Sequence, residues 1–147
     1  MYTHLLVPMD GSELSDRAEQ TSLALAAKLG ARITAFVVEP PPPLPNETTS
    51  PAGYMRDTEH HRERTEAHAH QVLARFEARA RELGVPFQGE FKRTGSVDEA
   101  IVEAASRFGC DLVVMVTHGR GVFGELMFGS HTKNVLALSK LPVLVLH

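Results

Sequence analysis

The chain has 147 residues, of which 43% are hydrophobic and 22% charged, proportions that suit one globular domain with its own core. Its net charge of −3 and its scattered basic residues exclude the basic face that a nucleic-acid-binding protein needs. No apolar run is long enough to span a membrane, the amino end lacks signal-peptide features, and the single cysteine cannot form an internal disulfide. We therefore expect one soluble, cytoplasmic domain over residues 1–147.

Short apolar runs alternate with helical patterns along the chain. Ser12 is a candidate N-cap for the first helix, Gly30 its C-terminal glycine, and Ser96-Val-Asp-Glu99 a capping box for the third. The spacing predicts strands over residues 4–8, 33–38, 84–93, 111–116 and 142–146, and helices over 12–29, 55–83, 96–108 and 130–140.

This alternation of strands and helices defines a fold class. Near-continuous apolar strands joined by helices predict an α/β domain, a doubly wound parallel sheet with helices on both faces. Right-handed crossovers favour the strand order 3-2-1-4-5 for five such strands.

One low-complexity stretch interrupts the pattern. The segment at about 40–54, which begins with four consecutive prolines, favours an extended conformation and predicts a surface excursion that joins no helix or central strand. The long helix after it carries an apolar stripe in its second half. Its first half, "RDTEHHRERTEA", is polar all round and is expected to project into solvent.

Two glycine-containing loops follow the first and fourth strands. "PMDGS" and "THGRGVFG" would face each other where the winding reverses, which is where doubly wound sheets bind ligands. Gly119, Gly121 and Gly124 can expose backbone N–H groups to an anion, and Gly129-Ser130 opens a helix whose first N–H groups lack partners. A phosphate cradle is one interpretation, and a glycine loop with a capping serine is the other.

The spacing from Gly119 over nine residues to Gly129-Ser130, together with "LLVPMDGS", "DLVVMVTHGRG", "GSHTKNVL" and "LPVLVL", resembles the universal stress protein family over essentially the full length. The resemblance implies an adenine nucleotide alpha hydrolase-like fold, dimers, and ATP binding, with Mg²⁺, in one branch. It implies the following binding residues: Asp10 and Val37 near adenine, Pro8 and Met9 lining the pocket, Met115 and Val116 on the ribose side, and Gly119, Gly129, Ser130 and His131 around the phosphates.

One residue departs from the binders' motif, in which Gly stands where this chain has Val116. A positive φ there would exclude valine, whereas an extended backbone would suit it and cost only bulk beside the ligand. The sequence leaves this open. It therefore supports an ATP-binding regulatory homodimer, in which nucleotide orders the loop from Gly119 to Gly129, or a protein-interaction module without nucleotide. An enzyme is a third reading, which no catalytic constellation supports; any hydrolysis would be slow.

Dimerisation is expected through the short apolar edge strand Val143–Leu146. His118, in the glycine loop, would contact either a phosphate or the backbone. Cys110 is interpreted as a packed thiol, and Asp10 as a ligand contact and not a catalytic base.

A cluster of histidines, His60, His61, His68 and His70, invites a metal interpretation. No cysteine joins it, and His61 and His68 lie two helical turns apart. A solvated helix face is therefore the favoured interpretation, with no metal expected.

Overall fold

The computed structural model describes residues 1–10, 13–117 and 130–147. Strands and helices alternate through this part of the chain, as the sequence pattern predicts. They are β1 (His4–Met9), α1 (Glu13–Leu29), β2 (Arg32–Glu39), α2 (Pro51–Glu82), β3 (Phe87–Arg93), α3 (Val97–Arg107), β4 (Leu112–Val116), α4 (Ser130–Leu138) and β5 (Val143–Leu146).

The five strands form one parallel sheet in the order β3-β2-β1-β4-β5, so the predicted fold class and strand order are confirmed. Helices α1 and α2 cover one face, where Phe76 and Val37 are among the core residues. Helices α3 and α4 cover the other, where Ile101, Met115 and Val135 are buried. Because both faces are covered, the central strands are buried along most of their length.

Helix α2 begins at Pro51, four residues before the predicted start, so the prediction that the whole proline-rich stretch stays outside a helix is wrong for residues 51–54. Proline is well tolerated at the first helical position, where its missing N–H has no intrahelical partner to lose. The Ser50 hydroxyl caps the helix by accepting the Gly53 N–H at 3.0 Å. The excursion is therefore confined to residues 40–50, and it contains a turn in which the Thr49 N–H donates to the Asn46 carbonyl at 3.1 Å.

The first half of α2 does not simply project into solvent. Thr65 is buried, and its hydroxyl accepts hydrogen bonds from Arg93 Nε at 3.1 Å and Nη2 at 2.9 Å. His61 Nε2 lies 2.8 Å from the Pro40 carbonyl oxygen, and His68 Nδ1 pairs with the Glu39 carboxylate. These contacts, which we call the α2 tie, fasten the polar half of the helix, and His68 directly after it, to the carboxyl ends of β2 and β3.

The amino end of α3 also differs in detail from its predicted capping box. Ser96 occupies the N-cap position, but its side chain makes no capping hydrogen bond, with φ −97° and ψ 68°. The predicted buried face of α3 is present, since Ile101 and Ala105 are buried.

None of the helices in the described ranges is long and apolar enough to cross a membrane.

Candidate functional site

The carboxyl edge of the sheet opens between its two central strands. β1 pairs with β2 at all six positions from His4 to Met9, but with β4 only at Leu5↔Leu112 and Leu6↔Val113. Beyond Leu6 and Val113 no further pairing joins the described residues of these two strands. The ladder of hydrogen bonds between these strands therefore ends before the edge at which parallel α/β sheets bind ligands.

Pro8 gives a reason why the pairing between β1 and β4 ends early. Successive residues of a strand direct their backbone groups to opposite neighbours, and the β1 row that faces β4 contains the carbonyl of His4, which accepts the Asp111 N–H at 2.9 Å. By this alternation the backbone groups of Pro8 also face β4. The carbonyl of Thr3, which accepts from the Arg32 N–H at 3.0 Å, faces β2. Because proline has no N–H, β1 lacks a donor to β4 where the pairing stops. A proline within a central strand is thus compatible with the sheet here.

The predicted base-side residues gather at the end of β1. Met9 lies in register with Val37 of β2, and Asp10 is exposed directly after the strand. Pro8 is half-buried, while Val37 has no exposed surface. Its side chain packs in the core on the α1–α2 side, so this residue borders the crevice from below and presents no side chain to a ligand.

The predicted ribose-side residues end β4. Met115 is buried among the residues beneath α3 and α4, and Val116 is half-buried against the core on the opposite face. No described residue other than glycine has a positive φ, and Val116 belongs to the strand, in register with Leu146. The backbone question left open by the sequence is thereby answered: the valine occupies an extended position that suits a β-branched residue.

Thr117 fixes the end of β4. Its N–H donates to the Leu146 carbonyl at 2.9 Å, and its side chain is buried, with Oγ1 lying 3.2 Å from His147 Nδ1. The chain therefore leaves the sheet from an anchored position. The predicted site residues His118, Gly119 and Gly129, and with them the expected ordering of the loop by nucleotide, lie outside the described residues.

The phosphate end of the predicted site is the start of α4. Ser130 and His131 are its first two residues and both are exposed. The first N–H groups of a helix lack intrahelical partners and carry the positive end of the helix dipole, so they favour an anion. His131 does not stand alone: its Nδ1 lies 2.6 Å from Asp98 Oδ1 on α3.

A cleft of about 360 Å³ lies between the first turn of α3 and the length of α4 from His131 to Leu138, and it includes this contact. Asp98 also accepts a hydrogen bond from the Asn134 amide at 2.8 Å. The sequence did not point to Asp98 or Asn134, because their roles arise from the packing of two helices, and the two residues lie 36 positions apart. Asp98 appeared only as an interior position of a capping pattern.

The surroundings of the remaining candidate residues, Cys110 and the four histidines of α2, favour structural roles. Cys110 is buried, and burial raises the pKa of its thiol to about 11, which suits a packed thiol and not a nucleophile. His60 and His70 are exposed, as a solvated face predicts, whereas His61 and His68 belong to the α2 tie. Within the described ranges, no three His, Cys, Asp or Glu side chains are grouped so as to hold a metal ion.

The sequence model of the universal stress protein family matches residues 1–147. The chain belongs to the universal stress protein family. A relative of the same family from Thermus aquaticus is 34% identical over 145 residues, covering 99% of this chain and 98% of its own.

Solved structures of the family share the fold. A universal stress protein from Burkholderia pseudomallei superposes with a TM-score of 0.73 at 25% identity, over 99% of this chain and 96% of its own. Another, solved in complex with cAMP, has a TM-score of 0.70 at 24% identity over 99% and 97% of the two chains. Family members from Archaeoglobus fulgidus with dAMP and from Arabidopsis thaliana with AMP bound are 17% and 18% identical, with a TM-score of 0.64 for each.

Proposed function

We propose that this universal stress protein binds ATP, with Mg²⁺, in the crevice between β1 and β4, and acts as a homodimeric regulator in the cytoplasm. The observation that carries the proposal is the loss of pairing between β1 and β4 beyond Leu6 and Val113. It leaves the carboxyl ends of the two strands without ladder pairing, with Pro8, Met9 and Asp10 on one strand end and Met115 and Val116 on the other.

The described residues fit an adenine nucleotide. Met9 and Val37 lie in register at the ends of β1 and β2, where their backbone would lie beside a base, and the exposed Asp10 directly follows Met9. The amino end of α4 offers backbone donors for phosphate. Mg²⁺ would be held mainly by the phosphates, since this ion usually keeps several waters and takes few protein ligands.

Relatives support the ligand class. The structures solved with cAMP, dAMP and AMP share adenine, ribose and phosphate, although they differ in the number and linkage of the phosphates. We assign ATP to this chain because Gly119, Gly129 and Ser130 of the binders' motif are all present in its sequence.

A homodimer would form through β5, the edge strand beyond β4. Its four residues are only half-buried in the single chain, although all are apolar. Pairing with the same strand of a second copy would cover this edge. Binding of nucleotide would then be signalled through the surface of the dimer, and no step of the proposal requires hydrolysis.

The proposal is tested by purifying the protein, denaturing it and separating any released ligand by chromatography. Adenine nucleotide in amounts approaching one per chain is the expected result. A preparation that releases no nucleotide and also fails to bind added ATP and Mg²⁺ would favour the alternative, an interaction module of the same fold.

A further inference from the structure

One carboxylate joins the first turns of α3 and α4. Asp98 Oδ1 lies 2.6 Å from His131 Nδ1, and Asp98 Oδ2 accepts from Asn134 Nδ2 at 2.8 Å. The Asp98 side chain is 19% exposed and that of His131 is 60% exposed. Both carboxylate oxygens are thus used, each on a different residue of the same turn of α4, which fixes the direction of that turn as well as its distance from α3.

This contact lies at the carboxyl edge of the sheet. α3 begins four residues after β3 ends, and α4 begins at Ser130, in the connection that follows β4. The amino ends of both helices therefore lie at the carboxyl edge of the sheet, where the pairing between β1 and β4 has ended. His131 is the second residue of α4, beside the backbone donors that an anion would meet. Asp98 therefore acts on a ring that stands at the predicted phosphate end.

The hydrogen bond also decides how the ring is used. When Nδ1 donates to the Asp98 carboxylate, Nε2 is the nitrogen that remains for a ligand. In its protonated form the imidazole donates from both nitrogens at once, so it can join a carboxylate at Nδ1 and a phosphate oxygen at Nε2.

We propose that Asp98 is a positioning residue for nucleotide: it holds His131 through Nδ1 so that the Nε2–H of the protonated ring donates to a phosphate oxygen, and through Asn134 it fixes the turn that carries His131. This inference rests on the proposed nucleotide site and adds a residue from α3 to it. The alternative is that Asp98 only joins two helices. Its loss would then weaken the binding of every ligand and lower the stability of the fold.

The test combines binding with a spectroscopic readout. ATP and adenosine are titrated calorimetrically against the unaltered protein and five variants: Asp98→Ala, Asp98→Asn, His131→Ala, the double variant Asp98→Ala/His131→Ala, and Glu99→Ala. Glu99→Ala is the matched control because it removes the same charge from the exposed neighbouring position in the first turn of α3. Nitrogen-15 spectra of the imidazoles report which ring nitrogen of neutral His131 carries its proton.

Asp98→Ala and His131→Ala are each expected to weaken ATP binding by roughly tenfold, the loss of one hydrogen bond to a charged group. Adenosine binding should not change, and the double variant should bind ATP as the single ones do. Asp98→Asn should lie between, because its amide oxygen still accepts from Nδ1. In the spectra His131 should carry its proton on Nδ1, and this preference should be lost in Asp98→Ala and kept in Glu99→Ala.

Equal losses for ATP and adenosine, additive losses in the double variant, or a His131 proton on Nε2 in the unaltered protein would each overturn the positioning role. Unchanged ATP binding in Asp98→Ala would do so as well, while leaving the proposed function intact. An unaltered protein that binds neither ligand would overturn the proposed function and this inference together. Asp98→Asn, which preserves the size of the side chain, keeps the test decisive if Asp98→Ala does not fold.

Discussion

Val116 lies in register with Leu146, as the last described pair of β4 and β5. Valine replaces the first glycine of the nucleotide-binding motif at this position, and its strand conformation shows that the replacement needs no unusual backbone. What remains is the volume of its side chain, which is half-buried against the core. The remaining question is whether the Val116 side chain leaves enough space for the ligand.

Replacing Val116 by Ala or Gly should strengthen ATP binding by roughly tenfold if bulk is the only penalty, since one or two methylene-sized groups in a pocket have about this effect. The two variants should gain alike, because alanine already removes both methyl groups. Both should lower the free energy of unfolding, Gly more than Ala by about 1 kcal/mol, because glycine has more conformational freedom in the unfolded chain. Calorimetry and urea titration measure the two effects, and unchanged affinity in both variants would show that the valine does not border the nucleotide.

The proposed dimer can be tested on the open edge of β5. The carbonyls of Pro142 and Leu146 accept from Val113 at 3.0 Å and from Thr117 at 2.9 Å, so the even-numbered residues face β4. Val145 therefore directs its N–H away from the sheet. Val145→Pro should convert the dimer to a monomer, measured by analytical ultracentrifugation, while the fold persists.

Leu144→Pro is the matched control for this strand. It removes an N–H from the row that faces β4, so it should destabilise the fold by about 1–3 kcal/mol, the cost of leaving a ladder acceptor without its donor. A Val145→Pro protein that remains dimeric would place the dimer interface elsewhere.

Glu19 should give the protein a measurable dependence of stability on pH. Its side chain is fully buried between α1 and α2, with Oε1 lying 2.8 Å from Arg79 Nη1. Burial raises its pKa above the ordinary 4.5, and the nearby Arg79 and Arg75 offset this only in part. Because the folded protein then holds its proton more tightly than the unfolded chain, this contribution to stability is complete below pH 4.5 and is lost as the pH rises through the folded pKa.

Glu19→Gln removes this dependence, since glutamine is neutral throughout. The free energy of unfolding of the unaltered protein relative to the variant should fall as the pH rises above 4.5, by up to about 1.4 kcal/mol per pH unit. Urea titrations at several pH values measure the difference. Glu77→Gln, in an exposed pair with Arg81, should show no such trend, and the same trend in both variants would contradict the assignment to Glu19.

The α2 tie should control the opening of the first half of α2. His68→Ala removes the contact with Glu39 and should speed hydrogen exchange in residues 51–64, because that half has few apolar contacts to hold it. Global stability should fall by about 1–3 kcal/mol, because the Glu39 side chain is only 11% exposed and loses this partner. His70→Ala alters an exposed histidine of the same helix, and equal exchange in the two variants would show that the tie does not hold the helix.

The sequence predicted the order of elements and the strand order because these depend on the alternation of apolar runs with helical spacing. It misplaced the start of α2, since a proline reads as a helix breaker unless the first-turn exception is applied. The sequence did not predict contacts between distant elements. The burial of Glu19 and the hydrogen bond between Asp98 and His131 depend on how the helices pack. For Val116, the sequence could state the alternatives, and the strand conformation decided between them.

The central claim, that the crevice binds ATP, is tested most directly by calorimetric titration of the protein, freed of ligand, with ATP and Mg²⁺, beside the variant Gly129→Val. One ATP per chain should bind to the unaltered protein. Binding should be abolished in the variant, because a side chain at the start of α4 would fill the phosphate space. No heat of binding in the unaltered protein, confirmed by equilibrium dialysis, would contradict the account, and an equal affinity in the variant would refute the placement of the phosphates.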